Sequence, residues 1–209
     1  MGLRRQLRHV PARRQLGAHK HLPGNWGPEL GFIQDWLANN PTGTLFIGKA
    51  VEGGTPLAQS ATLPDWSPSS VGELYDKSLF IAHCMQYNLG INALNAIFYF
   101  QGEQDATDPT WAADYYVNFN GLLGAWSADV NLDHTTPAMG WGRIYPSTVT
   151  PYHQDVRDAQ LATDNLTPAT VDSFRTWDLT MQADGVHFDE ASYVEIGSRF
   201  YDLWDGWGF

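Results

Sequence analysis

The sequence predicts an α/β domain with a doubly wound, mostly parallel sheet flanked by helices. Two observations carry that expectation. Helical and strand patterns alternate along the chain from residue 26 onward, and the strand candidates are continuous apolar runs rather than polar–apolar alternations. Runs of that kind, joined by amphipathic helices, belong to parallel sheets covered on both faces. With 209 residues, 43% of them hydrophobic and 17% charged, the chain is long enough to bury a core of its own.

The elements follow in order. Residues 26–39 place Leu30, Ile33, Trp36 and Leu37 at helical spacing, with Pro28 in the first turn and Asn39-Asn40-Pro41 as the stop. Residues 44–51 (TLFIGKAV) predict a short strand that ends in the turn Gly53-Gly54-Thr55. A Pro- and Ser-rich loop over 55–70 leads to a long helix over 71–89, with Val71, Leu74, Ser78, Ile81, Ala82, Met85 and Leu89 on one face. Residues 95–100 (NAIFYF) predict a second buried strand. A helix over 111–126 follows, with Ala112, Tyr115, Phe119, Leu122 and Trp126 in register. Residues 137–144 suit a strand, 154–162 a short helix, and 171–179 a strand or extended piece. The last helix, 190–204, turns Val194, Gly197, Phe200 and Trp204 inward.

The charge is unevenly distributed. Residues 1–20 hold six of the twelve basic residues and no acid, a charge of +6, whereas the remainder carries −17, for a net −11. Such an acidic body does not suit a general nucleic-acid binder, because phosphate recognition needs clustered Lys and Arg. One cysteine, Cys84, excludes an intrachain disulfide framework and a Cys-based zinc site. No apolar run reaches the length of a membrane span. Residues 1–24 lack the apolar centre of a secretory signal and the Ser content of a transit peptide. A basic nucleic-acid arm on an acidic body is one reading of this segment. The preferred one is non-native sequence, since Arg, His, Gln and Pro without acids, Ser or Thr resemble translation in a shifted frame. The expected organisation is therefore a basic segment over 1–24 and one domain over 25–209.

Three motifs fall at element ends, where ligands of doubly wound folds sit. Gly53-Gly54-Thr55 follows the first readable strand, Gln101-Gly102-Glu103-Gln104-Asp105-Ala106 follows the second, and Asp184-Gly185-Val186-His187-Phe188 precedes the last helix. Each alone is weak, since a Gly pair is usually only a turn. Together with Gly27-Pro28-Glu29-Leu30-Gly31, Val156-Arg157 and Ala159-Gln160, they resemble the SGNH hydrolase superfamily. Within it, the pattern is similar to the branch of sialate O-acetylesterases and the acetyl xylan esterases of carbohydrate esterase family 6. The resemblance spans about residues 26–204.

It implies a flavodoxin-like three-layer sandwich that hydrolyses O-acetyl esters of carbohydrates, with no metal or cofactor and no nucleic-acid or membrane partner. His187 would be the general base and Asp184 the carboxylate that orients it. Gly54, through its backbone N–H, and Gln101, through its side-chain amide, would form the oxyanion hole. Glu103 and Arg157 would belong to a supporting network. Among the nine tryptophans, Trp26, Trp66 and Trp141 are the candidates for lining a sugar cleft.

One part of the pattern is missing. The family's nucleophile is a Ser in a Gly-Gln-Ser-Asn or Gly-Asp-Ser turn after the first strand, upstream of Gly27. Here no Ser, Thr or Cys precedes Thr42, and none of the ten serines follows Gly-Gln or Gly-Asp. Ser60, Ser67, Ser69 and Ser70 lie in a loop without a rigid support, and Cys84 reads as a buried apolar residue. The nucleophile is therefore unassigned, and the first strand is expected to be missing or non-native. That strand belongs between 44–51 and 95–100, so its loss would expose two edges and give a marginally stable, aggregation-prone chain. The competing reading is a glycan-binding or accessory protein on the same fold. A metal hydrolase is disfavoured, because His83, His153 and His187 show no ligand spacing.

Overall fold

The computed structural model describes residues 27–130, 138–164 and 171–208. The basic segment over 1–24 and Trp26 lie outside the described residues.

Among the described residues five helices surround a small parallel sheet. In chain order they are α1 (Glu29–Asn39), α2 (Leu74–Leu89), β1 (Ile97–Tyr99), a 3-10 turn at Asp105–Thr107, α3 (Pro109–Asp129), β2 (Met139–Gly142), α4 (His153–Asp164), β3 (Val171–Phe174) and α5 (Glu190–Gly206). The strands lie in the order β1-β2-β3, all parallel, with Ile97 opposite Met139 and Met139 opposite Val171.

Side chains leave the sheet alternately, and each face has its own core. Tyr99, Met139 and Trp141 pack with Tyr115, Phe119 and Trp126 of α3 and Val156 of α4. The T-shaped contact of Phe119 on Trp141, with centroids 5.0 Å apart, centres that layer. On the other face Phe98, Phe100 and Phe174 meet Phe32 and Trp36 of α1 and Ile196 and Phe200 of α5. The rings of Phe98 and Phe174 each lie 4.9 Å from Phe200. This is the expected three-layer arrangement.

Helix ends follow local chemistry. Asp108 caps α3 by accepting from the N–H groups of Thr110 and Trp111, with Pro109 at the first helical position. Asp189 caps α5 through the Ser192 N–H at 2.8 Å. Gly90, at φ 65°, ends α2 in the left-handed conformation. Helices α1 and α5 cross so closely that a Cβ on Gly31 or Gly197 would meet backbone carbonyl oxygens of Val194 or Pro28.

The α3 face Ala112, Tyr115, Phe119, Leu122 and Trp126 is buried as its spacing predicts. Two other faces are corrected. In α1 the buried residues are Gly31, Phe32 and Trp36, and Leu37 is exposed. Helix α2 begins at Leu74, leaving Val71 exposed in the preceding turn, and Leu89 is exposed at its end.

The expected strand over 44–51 is also corrected. Among the described residues it forms no ladder. Leu45 packs toward the Phe32–Trp36 cluster, and Gly48 sits against Ile81 and Met85 of α2. Phe46, Ile47 and Val51 are exposed. An extended apolar run becomes a strand only when a neighbour accepts its backbone groups. Here β1 pairs only with β2 among the described residues.

Candidate active site

The site is built on turns that leave the C-terminal strand ends. Between β3 and α5 the chain folds into a tight hairpin: the Gln182 N–H donates to the His187 carbonyl at 2.7 Å, and the Gly185 N–H donates to the Gln182 carbonyl at 3.1 Å. Gly185 is at φ 71°, a conformation that favours glycine. The Gln182 amide adds a bond to the Phe188 carbonyl at 2.8 Å, and buried Phe188 anchors the hairpin beneath the rings of Tyr145 and Tyr193.

The turn brings Asp184 and His187 together. Asp184 Oδ1 accepts from the N–H groups of Val186 and His187, both at 2.9 Å, while its Oδ2 meets His187 Nδ1 at 2.7 Å. These hydrogen bonds, the two backbone ones foremost, hold the Asp184 carboxyl down at about 2. An ionised Asp184 favours a proton on Nδ1 of the ring and so points the other ring nitrogen, Nε2, outward. Both side chains are largely open to solvent.

The turn after β1 is the opposite in character. Gln101 is buried and fully engaged. Its Nε2 donates to the Thr55 carbonyl at 3.0 Å and to Asp105 Oδ2 at 2.5 Å. Its Oε1 accepts from the hydroxyls of Tyr99 at 3.2 Å and Tyr115 at 3.3 Å. Its backbone carbonyl accepts from the Tyr115 hydroxyl and from Gln160 Nε2, both at 3.0 Å. The two Nε2 protons are thus committed within the protein.

Glu103 lies within electrostatic reach of His187, which couples the Gln-Gly-Glu turn to the Asp–His hairpin. Desolvation raises the Glu103 carboxyl, and the nearby imidazole acts in the opposite direction. Tyr193 of α5 feels both Glu103 and Asp184, and burial raises its hydroxyl. Gly54, at φ 67°, stands 4.0 Å from the Gln104 side chain as measured from the Cβ it lacks, so the Gly-Gly-Thr turn borders the same motif.

Other expected residues fall elsewhere. Trp66 and Trp141 are core side chains, 6% and 1% exposed, which corrects the expectation that they line a cleft. The Trp66 indole N–H donates to Thr55 Oγ1, and that of Trp141 to the Gln160 carbonyl. A large ring at a strand end is buried wherever a helix covers that face, and residue type does not reveal which face is covered. Arg157 stands over the Trp177 ring, 4.7 Å from its centroid, outside the Asp–His cluster. Ser60 and Ser67 serve their own loop, accepting from nearby backbone N–H groups. Among the described residues no hydroxyl or thiol hydrogen-bonds His187.

Asp105 is the residue that the motif reading undervalued. Completely buried, it accepts from the N–H groups of Leu57 and Ala58 at 2.8 and 3.0 Å and from Gln101. It therefore ties the loop after the Gly motif to the turn after β1. Ser147, after β2, also went unnoticed: its Oγ would lie 3.3 Å from a Cβ on Gly185. Its only sequence signal is a place beyond a strand end.

The fold is shared with carbohydrate acetylesterases of known structure. A protein from Arabidopsis thaliana aligns with a TM-score of 0.58 and 23% identity over 68% of this chain and 55% of its own. A carbohydrate acetylesterase from Xanthomonas citri aligns at 0.54 and 18% identity, covering 84% of this chain and 40% of its own. A carbohydrate esterase family 3 protein from Talaromyces cellulolyticus gives 0.52 and 13%, covering 86% and 89%. The chain thus spans about half the length of the first two. No curated protein sequence matches it. These likenesses define the class of fold, an α/β scaffold with a parallel sheet flanked by helices. Within that class the chain belongs to the carbohydrate esterase family of sialic acid-specific acetylesterases, whose sequence profile matches residues 1–204. No helix among the described residues is long and apolar enough to cross a membrane.

Proposed function

We propose that this chain is a carbohydrate O-acetyl ester hydrolase of the sialate O-acetylesterase or acetyl xylan esterase type, with His187 as its general base. The supporting observation is the 2.7 Å contact between His187 Nδ1 and Asp184 Oδ2, within electrostatic reach of Glu103. In this reading Nε2 takes the proton of the attacking oxygen and returns it to the departing sugar hydroxyl. Asp184 stays ionised and stabilises the imidazolium between those two transfers. The Gly54 N–H supplies one donor to the tetrahedral oxyanion. Gln101 supplies the other when an acyl oxygen displaces the Thr55 carbonyl from its Nε2.

The nucleophile is unassigned. With no hydroxyl on His187 among the described residues, the base would activate water directly. Losing the covalent route costs several orders of magnitude in rate, so the proposed activity is weak. Hydrolysis of p-nitrophenyl acetate and of O-acetylated sugars by the purified chain is the test. Turnover that vanishes in His187→Ala supports the reading, and equal turnover in the variant defeats it.

A second reading is carried by the committed Gln101 amide. A site whose side-chain oxyanion donor is engaged, and whose base meets no nucleophile among the described residues, is suited to holding a glycan rather than cleaving it. Saturable sugar binding without turnover would select this non-catalytic reading.

A further inference from the structure

The 189 residues after the basic segment's last lysine contain four arginines, and these four are neighbours. Arg143 follows β2, Arg175 follows β3, and Arg157 lies in the first half of α4. Their guanidinium carbons stand 5.3, 5.5 and 4.7 Å from the ring centroid of Trp177. Arg199 of α5 donates to the Arg175 carbonyl at 2.6 Å.

Arg199 is neutralised by Asp178, which it meets at 2.7 and 3.0 Å, and by Glu195 at 2.9 Å. The other three have no carboxylate within salt-bridge distance among the described residues. Asp164 attracts Arg143 from farther away, but its Oδ2 is taken by the Ser173 hydroxyl at 2.6 Å. The Nε atoms of Arg143 and Arg157 are buried without a hydrogen-bond partner.

That arrangement is costly by itself. Burying charged donors unpaired is unfavourable, and like charges at this spacing repel. Burial foremost, and then the proximity of Arg143, lower the Arg157 pKa against the opposing pull of Asp158. A shared indole offsets only part of that cost. In a chain with 23 acids to 12 bases, these three guanidiniums gather on one ring, and the carboxylates that act on them, Asp164, Asp158 and Asp178, do so from beyond salt-bridge distance.

We propose that Arg143, Arg157 and Arg175, gathered on Trp177, form a binding site for an oxyanion, a carboxylate or phosphate group carried by a ligand. Guanidinium donors match the geometry of both groups. Arg143, Arg175 and Trp177 come from loops at the C-terminal strand ends, where ligands of parallel sheets bind. The site does not depend on the hydrolytic reading, because it makes no use of His187 or Asp184.

The test is calorimetric titration of the full chain at low ionic strength with sodium phosphate and with sodium glucuronate. Glucose and sodium chloride of matched ionic strength are the controls. Saturable heat with phosphate, glucuronate or both, and none with the controls, is expected. Binding of glucuronate alone assigns a sugar acid, and binding of phosphate assigns free or esterified phosphate. Arg175→Gln, at an exposed position, should weaken binding by about tenfold or more, and Arg157→Lys should weaken it less than Arg157→Gln. Phosphate and glucuronate that behave like chloride overturn the proposal. So does retention of full affinity in both glutamine variants.

Discussion

Asp105 accepts the Nε2 proton of Gln101 at 2.5 Å, and with its remaining lone pairs it holds the backbone of Leu57 and Ala58. One buried carboxylate thereby fixes the distance between the loop after the Gly motif and the turn after β1. Asp105→Ala leaves three donors without an acceptor in a dry site. At about 1–3 kcal/mol each, the loss is on the order of 3–9 kcal/mol, much of a domain's stability. Urea unfolding should show a large drop in midpoint, and a midpoint within error of the parent would contradict this role. Asp105→Asn, which retains one acceptor oxygen, should lose less.

The Asp184–His187 pair predicts a different pattern, because both side chains are open to solvent. Their removal should affect chemistry and leave stability nearly unchanged. Asp184→Asn and His187→Ala are each expected to lower any acetyl-ester turnover by about 10²–10⁴-fold, with thermal midpoints close to the parent. Asp184 is held at about 2, below the ordinary 3.8. A depressed carboxylate contributes stability above its unfolded pKa and loses it as pH falls through the folded one. Its contribution is therefore complete above about pH 4, and no inflection in a pH–rate profile above that point should belong to Asp184. An inflection near pH 5 that disappears in Asp184→Asn would count against this assignment.

How far the sequence foretold this arrangement depends on what each feature requires. The α3 face was legible because Ala112, Tyr115, Phe119, Leu122 and Trp126 repeat at helical spacing, a local property. The Asp–His hairpin was legible for the same reason, since residues three apart in a Gly turn meet without outside help. The segment over 44–51 was misread because a strand is a relation to a neighbour, and an apolar run does not name its neighbour. Trp66 and Trp141 were misplaced because both a core and a sugar cleft favour aromatic rings. The arginine cluster was invisible: its members are separated by 14 and 18 residues and meet only after β2, α4 and β3 are assembled.

Asp164 supplies a pH-dependent prediction of opposite sign to Asp184. Burial raises its carboxyl from 3.8 to about 6, and the bond from Ser173 only partly offsets this. The folded state then binds more protons than the unfolded one between those values, so stability falls as pH rises from about 4 to 6. Its Oδ1 is buried without a partner. Asp164→Asn should therefore raise the thermal midpoint at pH 7–8 relative to the parent, with little gain at pH 4. A gain of equal size at both pH values would show that the charge of Asp164 is not the cause.

The crossing of α1 on α5 makes the sharpest structural demand. A Cβ at Gly197 would lie 1.9 Å from the Pro28 carbonyl oxygen, and one at Gly31 would lie 1.9 Å from the Val194 carbonyl oxygen. Both obstacles are backbone, so no rotamer change relieves them. The helices would have to separate, which disturbs the contacts of Phe32 with Phe98 and Tyr201. Gly197→Ala should thus destabilise by at least the ~1–3 kcal/mol of ordinary overpacking, despite the better helix propensity of Ala. Gly121→Ala, at an open position on α3, is the control, and it should be neutral or stabilising by up to about 1 kcal/mol. Denaturant midpoints of the two variants decide the matter, and equal shifts in both would mean that the helices do not cross at the glycines.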